Sequence, residues 1–256
     1  MALSIPVFAM RFNFTLISAF SFASAVLADR SLEHRSESSQ LNIVEKRTNA
    51  TLDSRDVMYE NWAGATVNQT VPTFVTVTGT FEVPQILGPA GSGVGIWVGM
   101  DIGSVQPECA LFSAGVMYQM YAPSFGPSYK AVAQWLPDLE PQEFTDIKVS
   151  PGDLITVTVT VASDQTTGNA TVENQVTAQT LEFHNQVALC QLSAGWIVSK
   201  VGVSTLANFD VVSFRQPLAL GDHQNFFRPT GDVIFEIENV TATYADENVV
   251  AIWHYV

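Results

Sequence analysis

The sequence is poor in positive charge and in histidine, and both shortages narrow the possible partners. Of its 256 residues, 11 are Lys or Arg and 25 are Asp or Glu, so the formal net charge is −14 at pH 7. A chain of this charge repels polyanions, and we therefore expect no nucleic acid as a partner. The four His residues show no metal-ligand spacing, so we expect no metal and no cofactor.

Several sequence motifs are also missing. There is no Gly-x-Ser-x-Gly elbow and no pair of Asp-Thr/Ser-Gly motifs, which argues against an α/β-hydrolase and against an aspartic-protease dyad. The glycine-rich stretch 91–95 precedes a predicted strand and not a helix, so it is no phosphate-binding loop. After the N-terminal region no apolar run is long enough to cross a bilayer, and we expect no membrane association.

The N-terminal region has the composition of targeting and processing segments. Arg11 precedes an apolar run, Phe12–Leu27, and small residues lead up to Ala28, which predicts a signal peptide over residues 1–28. A membrane anchor is the alternative. Residues 29–47 are charged and end in Lys46-Arg47, which indicates a propeptide, with an extension to about residue 58 left open. A disordered tail is the alternative here. The folded domain is then expected over 59–256.

Cysteine is scarce, with Cys109 and Cys190 alone in the chain. In an oxidising compartment such a pair allows one disulfide, and two buried free thiols are the alternative. The chain also carries Asn-x-Ser/Thr sequons, which are consistent with secretion to the extracellular space and with N-glycosylation. Outside the predicted signal peptide these begin at Asn49, Asn68, Asn169 and Asn239.

Alternation of apolar and polar residues with period two dominates the rest of the chain. It is clear over 74–83, 154–161, 233–238 and 249–256, and Gly/Pro/Asp-rich turns separate these segments. No long segment has helical spacing. The pattern predicts an all-β, single-domain antiparallel sandwich or jelly roll.

Several motifs, in order and spacing, resemble the glutamic peptidases (eqolisins, family G1), which are secreted acid endopeptidases of fungi. The motifs are Asn61–Gly64, Ile96–Asp101, Leu111–Val116, Trp135–Asp138, Ala170–Asn174 and Gly195–Val198. The resemblance implies a concanavalin A-like sandwich of two curved sheets. It also implies a protein or peptide substrate and hydrolysis at acid pH. We expect a monomer.

The resemblance also suggests roles for individual residues. Glu173 would be the general base that activates water. The Gln that would stabilise the oxyanion is replaced by Ser113, a neighbouring-strand Glu by Gln134, and a further Glu by Gly195. Gln134 could supply the amide that Ser113 lacks. Trp97, Asp101 and Trp135 would position substrate. Without the resemblance, Glu173 is an exposed strand carboxylate and the aromatic residues are ordinary core and surface residues.

Two functions therefore stay open at the level of sequence. The first is a secreted glutamic-type acid endopeptidase, impaired by the replacement at Ser113. The second is a catalytically inactive relative that binds peptide or glycan in a concave groove.

Overall fold

A computed structural model describes residues 56–59, 61–102, 109–121, 126–137, 140–201, 205–230, 233–237 and 239–255. The predicted signal peptide and propeptide and the sequon at Asn49 lie outside these residues and stay predictions. In the described part of the chain no helix is long and apolar enough to cross a membrane.

Every regular element of the described chain is a β-strand. In chain order the strands are β1 (Asp56–Tyr59), β2 (Trp62–Asn68), β3 (Phe74–Glu82), β4 (Ser92–Met100), β5 (Leu111–Met120), β6 (Pro127–Leu136), β7 (Gln142–Glu143), β8 (Leu154–Val161), β9 (Thr167–Asn174), β10 (Thr177–His184), β11 (Ser193–Ser199), β12 (Thr205–Leu206), β13 (Val211–Gly221), β14 (Phe226–Phe227), β15 (Val233–Ile237), β16 (Thr241–Ala245) and β17 (Val249–His254).

The strands form two sheets. Sheet A has the order β1-β15-β2-β11-β4-β5-β6-β7, with β12 beside β4. Sheet B has the order β10-β9-β8-β3-β13-β17-β16, with β14 beside β13. Neighbouring strands run antiparallel, apart from the parallel pairs β1–β15 and β12–β4. The predicted all-β sandwich of two largely antiparallel sheets is confirmed.

Strand β8 shows why these sequences form half-buried strands. Ile155, Val157 and Val159 are fully buried, and the threonines between them face away from the core. These hydroxyls pair across to β3, with 3.0 Å between the Oγ1 atoms of Thr78 and Thr158. β-Branched residues therefore fill the core side of the strand, and the Thr side chains are satisfied on its outer side.

The core lies between the inner faces of the two sheets. Phe112 of sheet A stacks on Trp135 at a centroid distance of 4.5 Å and also contacts Phe183 of sheet B. The Trp196 indole, fully buried, donates its Nε1 proton to the Thr78 carbonyl at 2.8 Å. A Cβ on Gly79 would lie 2.8 Å from Cδ1 of Trp196, so only glycine leaves room for this ring.

A disulfide joins Cys109 to Cys190, with 5.5 Å between their Cα atoms. It links the chain just before β5 to the chain just before β11, which are 81 residues apart in sequence. A cross-link over a loop of this length removes much conformational freedom from the unfolded chain.

Replacing both cysteines with serine should lower the free energy of unfolding by about 4 kcal/mol, because the closed loop is long. Guanidinium denaturation of the oxidised wild type and the double variant measures this. The single variant Cys109→Ser should lose as much as the double variant. A loss below about 1 kcal/mol in the double variant would contradict a stabilising cross-link.

Candidate functional site

A groove lies on the outer face of sheet A, across the strands β2, β11, β4, β5 and β6. Its cavity has a volume of about 300 Å³. The walls and floor combine aromatic and aliphatic side chains with a few hydroxyl, amide and amine groups. The lining residues are Trp62, Trp97, Ile102, Leu111, Ser113, Met117, Gln134, Leu136, Pro141, Ile197, Ser199, Lys200 and Val201.

Trp97 forms the floor of this groove, where the sequence predicted it. A Cβ on Gly95 would lie 2.5 Å from Cζ2 of Trp97, so the indole lies over a residue that has no side chain. The ring is 5% exposed, and its Nε1 donates to Oγ of Ser199 at 2.9 Å. This hydrogen bond fixes the orientation of the ring, and Gly95 provides the space for it.

Ser113 and Gln134 lie side by side in the groove. Ser113 alternates with the core residues Phe112 and Ala114, so its side chain points to the outer face of the sheet. It is paired in register with Gln134 on β6. The Gln134 amide donates from Nε2 to Oγ of Ser113 at 3.2 Å, and Ser113 is 1% exposed. The two side chains therefore satisfy each other at the bottom of the groove.

Glu173 lies on the other side of the sandwich. It is on β9 of sheet B, where its neighbours Val172 and Ala170 point into the core. Its exposed side chain therefore faces outward from sheet B, beside Thr156 and Ala178. Two packed sheets separate it from the groove by at least ~10 Å. The structure does not assemble Glu173 with Ser113 or Gln134, and the expectation that Glu173 points into the same cleft does not fit its position.

Trp135 also does not fit its expected role. It alternates with Gln134 on β6 and points inward, where it is fully buried against Phe112. Its Nε1 donates to the Val187 carbonyl at 3.3 Å. A ring enclosed between the two sheets cannot contact a ligand in the groove, so Trp135 is a core residue.

Asp101 has a structural position and does not line the groove. It follows β4 with φ 54° and is 3% exposed. Its carboxylate accepts four backbone N–H bonds of 2.8–3.2 Å from the consecutive residues 190–193. Burial raises the pKa of Asp101, and the four donors oppose that shift. Ser193 in turn donates to the Ile102 carbonyl at 3.1 Å. Asp101 thus holds the chain between the disulfide and the groove wall, and its effect on a ligand is indirect.

The charge of the groove is unusual for an acidic chain. Among the described lining residues there is no carboxylate, and the one charged side chain is that of Lys200. Further along the same face, Glu143 is paired in register with Val132. Its Oε2 lies 2.6 Å from Nζ of Lys130, so this carboxylate is already engaged.

Gly195 on β11 is paired in register with Gly99 on β4, and Gly99 is paired with Ser113 on β5. A Cβ on Gly195 would lie 3.1 Å from Cγ2 of Thr66 and 3.2 Å from Cβ of Ile102. A side chain there would need neighbouring side chains to move by a few tenths of an ångström. Gly195 has no side chain and is not among the residues that line the groove.

Sequence reasoning missed ten of the thirteen lining residues, among them Trp62, Ile197, Ser199 and Lys200. A signal was available for two of them. On β11 the side chains of Ala194, Trp196 and Val198 point into the core. Because side chains alternate along a strand, those of Ile197 and Ser199 lie together on the outer face.

Comparisons with known proteins show the family of this chain. The sequence profile of the Peptidase A4 family matches residues 60–251. The chain belongs to the peptidase A4 family. Aspergillopepsin-2 of Aspergillus niger is 34% identical to this family member over 182 residues, which are 60% of this chain and 62% of the relative. Scytalidopepsin B of Scytalidium lignicola is 33% identical over 142 residues, 54% of this chain and 50% of the relative. The chain thus spans between half and two thirds of the length of the curated relatives it matches.

Solved structures of this family show the same fold. Scytalido-glutamic peptidase, crystallised with a peptide-based transition state analog, aligns with a TM-score of 0.66 and 25% identity, over 77% of this chain and 98% of that one. SCP-B, a member of the eqolisin family, was solved in a complex with the tripeptide Ala-Ile-His. It aligns with a TM-score of 0.62 and 24% identity, with the same coverage. The resemblance to the glutamic peptidases is confirmed.

Asp101→Asn should lower the free energy of unfolding by about 2–4 kcal/mol at neutral pH, because an amide nitrogen would then face backbone N–H donors in a buried site. Urea denaturation measures the change. Asp210→Asn is the matched control, since Asp210 has φ 56° but is exposed. Equal losses in both variants would mean that the four N–H bonds of Asp101 contribute little.

Proposed function

We propose that this peptidase A4 family member binds an extended polypeptide segment in the sheet A groove and does not hydrolyse it by glutamic-peptidase chemistry. One observation carries the proposal. The described lining residues include no carboxylate to act as general base, and the hydroxyl of Ser113 is hydrogen-bonded to Gln134.

The shape and chemistry of the groove support a peptide as its ligand. Its volume is at the lower end of the range of small-ligand pockets. Apolar surfaces such as Trp97 and Ile197 suit side chains, and the amide of Gln134 suits a peptide backbone. The scytalido-glutamic peptidase structure that shares this fold was solved with a peptide-based transition state analog. A peptide ligand for this chain follows by analogy with that relative.

Hydrolysis by the implied mechanism requires a carboxylate, which the described lining residues lack, and the Gln side chain that Ser113 replaces. A general base must take a proton from the attacking water, and an amide must stabilise the oxyanion. Glu173 is on the opposite outer face of the sandwich, and Gly195, where the resemblance implies a Glu, has no side chain. Ser113 is about two bonds shorter than Gln. Loss of one oxyanion donor alone typically lowers the rate on the order of 10²–10³-fold, and loss of the base adds to it.

A second candidate function is the acid endopeptidase activity implied by the resemblance. The observation that favours it is the amide of Gln134 in the groove, 3.2 Å from Oγ of Ser113. A rotation of this amide toward a bound carbonyl would restore one oxyanion donor. This alternative still requires a base from outside the described lining residues.

We further propose that the chain is secreted and N-glycosylated and acts as a monomer. The predicted signal peptide supports secretion. Asn68, Asn169 and Asn239 are all exposed, which a glycan attachment site requires. Their occupancy is measurable as the mass released by an N-glycosidase.

Incubation of a denatured protein with the processed chain from pH 2 to pH 7 should show no cleavage. Glu173→Ala should be indistinguishable from the wild type, because Glu173 is remote from the groove. The double variant Ser113→Gln/Gly195→Glu restores both side chains that the resemblance implies. It tests whether the fold can still support hydrolysis, and its cleavage should rise above the wild-type background. Acid-dependent cleavage by the wild type that Gln134→Ala abolishes would overturn the proposal in favour of the endopeptidase.

Trp97→Ala should weaken peptide binding at least tenfold, because it removes the aromatic floor of the groove. Calorimetric titration with short capped peptides that contain Phe or Leu gives the dissociation constants. Leu154→Ala is the matched control, since Leu154 is 44% exposed on sheet B. Equal affinities for wild type and Trp97→Ala, with both proteins folded, would place the peptide elsewhere.

A further inference from the structure

Lys200 is the one charged side chain among the described residues that line the groove. Among the described residues, Lys130 pairs with Glu143, Arg215 lies 3.8 Å from Glu82, and Arg228 donates to the Glu247 carbonyl. Lys200 makes no ion pair within the described part of the chain, although 25 acidic residues are available in the sequence. It is also half-buried in the wall of the groove. A cation held apart from the acidic groups of its own chain is free to pair with a ligand.

The position of Lys200 relative to Ser113 sets the length of ligand that reaches both. In register, Ser113 is opposite Gly99, and Gly99 is opposite Gly195. Four further residues along β11 lead to Ser199, just before Lys200. Two strand spacings and the five residues from Gly195 to Lys200 correspond to roughly 19 Å, which an extended peptide covers with about six residues. Apolar residues, including Trp97 and Ile197, line the space between.

The local backbone favours a side-chain carboxylate over a peptide C-terminus as the partner of Lys200. Terminal carboxylates are usually captured by several backbone N–H groups in a nest. The N–H of Lys200 is already donated to the Asn61 carbonyl at 2.9 Å. The Lys200 amine is a flexible point charge that can follow a side chain.

We propose that the groove selects extended peptides that carry an acidic side chain at Lys200, a few residues away from an apolar side chain on Trp97. This inference rests on the proposed peptide-binding function and specifies its ligand. Lys130 pairs with a carboxylate of the protein, and Lys200 pairs in the same way with the acidic residue of the ligand. The selectivity is unexpected for a chain of net charge −14, because the protein as a whole repels acidic ligands.

The test uses capped hexapeptides, acetylated and amidated, that contain one Phe and one Glu at each relative spacing, with Gln analogues as partners. At low salt the best Glu peptide should bind wild type about five- to tenfold more tightly than its Gln analogue, as expected for one partly buried charge pair. The ratio should fall toward one in Lys200→Gln, be kept in Lys200→Arg, and decrease as salt is added.

Lys148→Gln is the matched control, because Lys148 is exposed and also makes no ion pair within the described residues. It should keep the wild-type ratio. Equal binding of Glu and Gln peptides by wild type would overturn this inference and leave the proposed function intact. Preference only for an uncapped C-terminus would overturn the side-chain assignment. Absence of binding for every peptide would overturn both the inference and the proposed function.

Discussion

Side chains alternate between the two faces of each strand, and this alternation decides which residues of the structure can meet. One face of every long strand is used to fill the space between the sheets, so polar groups are left with the two outer faces of the sandwich. Residues that alternate with core residues on sheet A cannot meet residues that alternate with core residues on sheet B. Ser113 alternates with Phe112 and Ala114, and Glu173 alternates with Val172 and the turn-facing Asn174. The same packing that stabilises the domain therefore keeps these two residues apart.

Much of the fold could be predicted from the sequence because its signal is local. The alternating segments 74–83 and 154–161 became strands β3 and β8, and the turn over 150–153 is closed where Ser150 N–H donates to Asp153 at 2.8 Å. The segment 249–256 contains β17, which ends at His254. Such patterns depend only on residues that are close together in the chain, so they can be read without knowledge of the tertiary structure.

The site was harder to predict because it depends on which sheet each strand joins. Periodicity places Glu173 on one face of a strand, but it does not say whether that face borders the groove. Only the pairing of β9 with β8 and β10 places it in sheet B. Trp135 was mistaken for a groove residue for a related reason, since the register of β6 sends Gln134 outward and Trp135 inward. Ser113, Gln134 and Trp97 were found because the family motifs mark them directly.

The chain has the fold of the peptidase A4 family, and the lining of its groove is distinctive. Gly95 leaves room for the Trp97 indole, which covers part of the groove floor. The polar side chains among its described lining residues carry hydroxyl, amide, amine and indole N–H groups, and none is a carboxylate. Binding and catalysis are separable in this arrangement, because shape and apolar contact persist when the base is absent.

A crystal structure of the chain soaked with a Phe-containing peptide at acid pH tests this view most directly. We predict density for an intact peptide across Trp97 and Ser113, with Glu173 facing solvent on the far sheet. A cleaved peptide in the groove, or a peptide bound against Glu173 on sheet B, would contradict it.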